Sequence, residues 1–255
     1  MRRASVLASI LASAAWLFAS DVLDLHPPFD AILVTSFNTG SALDRSWGQR
    51  TPTTGAGVTF PAGYRTADFG GASTAEVSYP DATIFETPPL TVACWIRIDS
   101  YTGIRGIMHK MPQGTTYTGW HCYYGPGVSR GFAFGQVESA DLTPDANKAL
   151  QVYTATGALA AGSWYHVAAS LSAIGATPIL YINGVATATS TSGDGSGLTT
   201  LVNSEPIRIA GKAGPEAGFW GFHDGGIDDV RIYSTVKTAN EIGAIYAEGI
   251  GASRP

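Results

Sequence analysis

From about residue 29 onward, short apolar runs alternate with clusters of Gly, Pro, Asn and Ser, a pattern that predicts strands punctuated by turns. Ala31–Phe37 is rich in β-formers and runs into Asn-Thr-Gly, and Thr74–Tyr79 alternates before stopping at Pro80. Leu90–Ile98 is the strongest strand, with Val92, Cys94 and Ile96 on one side and Ala93 and Trp95 on the other. Ile104–Lys110, Gly119–Tyr124, Gly131–Val137 and Leu150–Ala155 follow. Then come Trp164–Leu171, Ile179–Ile182, Val185–Thr189, Pro206–Ala210 and Gly226–Tyr233. Asn183-Gly184 marks a hairpin, because a type I′ turn needs positive φ at both central residues. About a dozen short strands predict an all-β fold, a two-sheet sandwich or jelly roll. Residues 190–204, rich in Ser, Thr and Gly, read as a long loop inside it.

One helix is expected near the C-terminus. Thr238 and Glu241 form a capping box, Ile242, Ile245 and Tyr246 share a face, and Gly249 suits a C-terminal cap. This short helix is expected to seal the sandwich edge.

Residues 1–25 form a separate segment ahead of a single domain, 26–255. Arg2 and Arg3 precede an uncharged stretch that ends at Asp21, as in a secretory signal, yet a cut after Ser20 would place bulky Phe18 three residues before it. Ser5, Ser9 and Ser13 recur every four residues opposite an apolar stripe, as in a helix that stays attached and docks on a neighbour. Cleaved signal, retained docking segment and membrane anchor are the three readings.

Composition narrows the chemistry. Lys and Arg total 15 against 20 Asp and Glu, a formal charge of −5, so the basic field that phosphate backbones require is missing. Arg130–Phe134 matches the start of an RNA-recognition string, but Gly135 and Val137 break it. Glycoside hydrolysis needs two carboxyls held about 5–10 Å apart, and Asp228-Asp229, being adjacent, would point to opposite faces of a strand. No nucleophile elbow or phosphate-binding glycine loop occurs. The five histidines are scattered, although His109 and His121 could meet across a hairpin. Cys94 and Cys122 are expected as free, buried thiols, two strand spacings apart in one sheet.

Five motifs then occur in order: Ser163-Trp-Tyr-His-Val-Ala, Leu180-Tyr-Ile-Asn-Gly-Val, Ile207-Arg-Ile-Ala-Gly, Gly226-Ile-Asp-Asp-Val-Arg-Ile-Tyr and Glu241-Ile-Gly-Ala-Ile-Tyr. The series resembles the concanavalin A-like lectin/glucanase superfamily, in its laminin-G-like jelly-roll modules, over roughly residues 29–250. The resemblance implies two curved antiparallel sheets, and it implies fold more firmly than function. Some members bind calcium at one end of the sandwich; here Asp194, Asp224, Asp228 and Asp229 are the acids available, and no dense acidic loop is present.

A non-catalytic surface module is the reading that remains. Trp120, Tyr123 and Tyr124 in one segment, and Trp220, Phe222, His223 and Asp224 in another, sit beside glycines at predicted strand ends. Aromatic faces there would stack on sugar rings. Two settings follow: a virion-surface protein (capsid decoration, tail or adhesin) assembled with other virion subunits, or a secreted, lectin-like module binding a cell-surface glycan or protein. Self-association into a homo-oligomer is expected in both, since Gly-rich sheet edges invite pairing.

Overall fold

Alternation along the strongest predicted strand fixes the layering: Val92, Cys94 and Ile96 enter the core between two sheets, while Ala93 joins a second cluster on the opposite face. The computed structural model describes residues 31–37, 42–46, 48–62, 64, 66–100, 102–112, 117–125, 130–139, 145–211, 220–250 and 254, without the side chains of Ser36, Arg130 and Trp220. The signal, docking and anchor readings of residues 1–25 fall outside these residues.

In chain order the strands are β1 (Ala31–Ser36), β2 (Leu43–Asp44), β3 (Thr53–Thr54), β4 (Val58–Thr59), β5 (Ala67–Gly70) and β6 (Val77–Tyr79). There follow β7 (Leu90–Arg97), β8 (Ile104–Lys110), β9 (Tyr117–Gly125), β10 (Arg130–Ser139), β11 (Ala149–Thr154) and β12 (Trp164–Leu171). The last are β13 (Ile179–Ile182), β14 (Val185–Ala186), β15 (Thr189–Ser192), β16 (Ile207–Ile209), β17 (Trp220–Gly221) and β18 (Asp224–Tyr233), before helix α1 (Ala239–Ile250). The first sheet runs β14-β13-β12-β7-β18-β1-β2, with β5 on β18 and β4 on β5. The second runs β15-β11-β10-β9-β8-β16-β6-β3, with β17 alongside β8. Pairing is antiparallel throughout the described strands except between β17 and β8. The all-β, two-sheet jelly-roll fold is as the sequence implies.

Asn183 and Gly184 take φ of 51° and 80°, and Ile182 pairs with Val185 across them, so the predicted hairpin turn is present. The capping box forms too: Thr238 N–H donates to Glu241 Oε2 at 2.8 Å, and Glu241 N–H donates to Thr238 Oγ1 at 3.3 Å. Helix α1 lies on the outer face of the first sheet rather than its edge, burying Ile242 and Ile245 against Ala31, Ala93, Ala168, Tyr181 and Tyr233. Gly249 is inside the helix, and Val185–Thr189 is not one strand, since Val185–Ala186 returns on β13 while Thr189–Ser192 crosses to β11. The expected long loop therefore begins with a strand.

Cys94 and Cys122 are free and buried, but on different sheets. A meander would have put β7 and β9 in one layer; the jelly roll instead sends them to opposite layers of a shared core.

Candidate functional site

The structure separates the predicted site residues into buried and rim groups. Trp120, Tyr123 and Tyr124 are fully buried. Trp120 lies parallel to Phe134, with ring centroids 5.8 Å apart, and its indole N–H donates to the Phe85 carbonyl at 2.7 Å. Tyr124 points into the same core and meets His223 edge-on at 5.6 Å. Tyr123 faces the other way, packs with Ile104 and Ala133, and donates its hydroxyl to Gln151 Oε1 at 2.8 Å. These three rings offer no face to a sugar. The glycines around them mark close approach rather than a turn: a Cβ on Gly125 would stand 2.9 Å from the Ile104 Cα. β9 is a central strand between β8 and β10, covered on both faces.

His223 is also buried, which corrects its placement among ligand-facing residues. Its Nε2 lies 3.2 Å from the Gly226 carbonyl. Burial pulls its pKa down to about 4, with hydrogen bonds to backbone at Gly226 and Arg97 acting the other way.

Phe222 and Asp224 do reach the surface, both half-buried. Trp220 is backbone-paired with Ile104 in the β17–β8 pair, and its side chain lies outside the described residues. Around Phe222 and Asp224 the ends of β5, β7, β8 and β18 assemble a polar rim. Arg105 is pinned there: Nε donates to the Thr102 carbonyl at 2.9 Å, Nη2 to Thr102 Oγ1 at 3.0 Å, and Nη1 to the Phe222 carbonyl at 3.0 Å. Gly71 adopts φ +68°, and a Cβ on it would stand 3.3 Å from Asp224 Cγ and 3.4 Å from Arg105 Nη1. The guanidinium and the carboxylate thus both approach the position that a side chain on Gly71 would occupy.

A second charged group adjoins them. Arg97 grips Asp99 with two bonds of 2.7 and 2.8 Å, reaches Asp68 at 3.5 Å, and sits 5.6 Å from the Trp164 ring centroid. Burial raises the pKa of Asp68 above its ordinary value; Arg97 opposes this, and Asp99 and Asp224 add to it. Sequence reading missed Arg97, Arg105, Asp68, Asp99 and Thr102. Their signal in the sequence is only that of charges where strands end, near the Trp220–Asp224 segment.

The four acids considered for calcium do not converge. Asp194 accepts from Ser196 N–H at 2.8 Å, Asp228 lies 2.7 Å from Arg254 Nε, and Asp229 pairs with Arg231 at 2.7 Å. Among the described residues no group of three His, Cys, Asp or Glu side chains is placed to hold a metal. His109 and His121 are direct cross-strand partners on β8 and β9, with His121 Nε2 3.1 Å from Gln151 Oε1.

The comparisons agree with this architecture. The sequence family Laminin_G_3, of the concanavalin A-like lectin/glucanases superfamily, matches over residues 69–243. No curated protein matches the chain. Among solved structures, the binding domain of Paraclostridial Mosquitocidal Protein 1 superposes with a TM-score of 0.62 at 14% identity, over 85% of this chain and 52% of that one. The Botulinum Neurotoxin Type G receptor binding domain gives 0.61 at 15%, over 86% and 51%. The botulinum neurotoxin serotype D ligand binding domain, in complex with N-acetylneuraminic acid, gives 0.62 at 16%, over 86% and 51%. The chain spans about half the length of each, and at these identities the likeness establishes the fold alone. With the family match covering more than half of its residues, the chain belongs to the concanavalin A-like lectin/glucanase superfamily, in the laminin-G-like group.

Proposed function

We propose that this domain is a non-catalytic recognition module that binds a glycan at the rim where Arg105, Phe222 and Asp224 meet. One observation carries the reading: three hydrogen bonds immobilise Arg105, and its guanidinium and the Asp224 carboxylate both come close to the position a side chain would take on Gly71. A guanidinium donates to two adjacent sugar hydroxyls and a carboxylate accepts from two, so the pair suits a vicinal diol. Phe222 supplies an apolar ring for a sugar face. Because Arg105 is held before any ligand arrives, little side-chain entropy remains to be lost on binding.

Hydrolysis needs one carboxyl as acid and another as base or nucleophile, both aimed at the same bond. At this rim Asp99 is occupied by Arg97 through both oxygens. That removes Asp99 from such a pair. The similarity in fold to a receptor binding domain and a ligand binding domain of botulinum neurotoxins supports the same reading. We place the module on a virion surface or outside a cell, on the sequence grounds given above.

Screening the purified chain on immobilised glycans tests the proposal. Binding to a defined glycan class, with no release of reducing ends on prolonged incubation, is expected; steady hydrolysis would replace the reading with an enzymatic one.

A further inference from the structure

Lys110 closes β8 at the end opposite Arg105, and its side chain is completely buried. Its ammonium meets four oxygens: Glu86 Oε1 at 2.6 Å, Asp81 Oδ1 at 2.9 Å, and the backbone carbonyl and Oδ1 of Asn203 at 2.9 Å each. An ammonium carries three hydrogens, one fewer than the acceptors around it. Two carboxylates, a backbone carbonyl and a side-chain amide oxygen are the donor set that a hard, oxygen-seeking cation takes. A fifth oxygen stands beside them: Glu86 Oε2 is buried and has no hydrogen-bond partner. Glu86 itself is only 1% exposed.

Two of the three residues around the ammonium, Glu86 and Asn203, are held by bonds besides those to it. Asn203 N–H donates to Glu86 Oε1 at 3.0 Å, and Asn203 Nδ2 donates to the carbonyls of Lys110, Thr118 and Leu201 at 3.2, 3.0 and 3.1 Å. The Asn203 side chain is thus fixed by its amide N–H bonds, and its Oδ1 accepts from Glu205 N–H at 3.0 Å as well as from Lys110. The two carboxylates bring two negative charges against one ammonium, a deficit that a divalent ion would close.

The geometry points to a cation site occupied by the chain's own ammonium. Lys110 takes the place of a free ion, and removing it opens a site for an oxygen-coordinated cation, calcium foremost. In the natural chain this end of the sandwich needs no metal, so its stability is indifferent to chelators. The inference uses the fold alone and is independent of the glycan reading at the other end of β8.

Thermal unfolding of the full chain and of its Lys110→Ala and Lys110→Met variants, each in EDTA and in millimolar calcium chloride, tests it. Lys110→Ala is expected to melt below the natural chain in EDTA and to regain about 5 °C or more in saturating calcium. Lys110→Met fills the stem and places a methyl in the cage, so it is expected to gain nothing from calcium. The natural chain is expected to melt at the same temperature in both buffers. An alanine variant as unstable in calcium as in EDTA, including one unfolded in both, overturns the proposal. Equal gains in the natural chain and the alanine variant overturn it as well.

Discussion

Gly249 of α1 rests directly on the Trp95 indole, so that a Cβ at position 249 would overlap Nε1. The ring is locked from several sides: Tyr246 stacks on it at 5.4 Å, His166 meets it at 5.6 Å, and the Arg254 guanidinium carbon lies 4.2 Å from its centroid. This close approach lets the helix lie flat on the first sheet.

Gly249→Ala is therefore expected to lower stability, although alanine is the better helix former by about 1 kcal/mol. Overpacking against a ring with nowhere to go costs about 1–3 kcal/mol, which exceeds that gain. Urea denaturation followed by tryptophan fluorescence checks it. A stabilised variant would show that Trp95 yields.

The same helix depends on its first turn. Thr238→Ala removes the hydroxyl that accepts from Glu241 N–H, at an expected cost of about 1 kcal/mol. The loss should appear as a lower urea midpoint with an unchanged m-value, because the variation is in stability and not in the surface exposed.

Much of the fold was legible because its signals are local. Positive φ at Asn183-Gly184 and the reciprocal bonds of Thr238 and Glu241 involve neighbours in sequence. The division of Val185–Thr189 between two sheets depends on pairing with β13 and β11, which lie elsewhere in the chain. The candidate site was half legible for the same reason. Phe222 and Asp224 stood out beside glycines, whereas Arg105 becomes a site residue only when β17 comes alongside β8. Trp120, Tyr123 and Tyr124 looked equally promising, and only the covering of both faces of β9 removes them.

Buried titratable groups predict the response to acid. Burial drives His109 well below its ordinary value and takes His166 and His223 down to about 4, so the folded chain keeps them neutral while an unfolded imidazole takes its proton near 6.5. Their stability is present above about pH 6.5 and is lost as the pH falls toward 4. Burial pushes Asp228 the other way, from 3.8 up to about 7, against the pull of Arg254. Its contribution is full below pH 3.8 and is lost as the pH rises through about 7. Between pH 4 and 6.5 unfolding thus takes up about three protons and releases about one, so stability falls by roughly 2–3 kcal/mol per pH unit on acidification at its steepest. Asp228→Asn removes the opposing group and is expected to steepen that fall by about 1.4 kcal/mol per unit. Urea titrations at pH 7, 6 and 5 measure both slopes, and a flat profile for the natural chain would contradict the account.

If the rim binds sugar, titration of the glycan class found by screening into the natural chain, Phe222→Ala and Asp224→Ala will separate them. Each variant is expected to bind at least about tenfold more weakly, the loss of one ring contact or one charge-assisted bond of about 1.4 kcal/mol, while melting close to the natural chain. Unchanged affinity in both variants, with the fold intact, would contradict it.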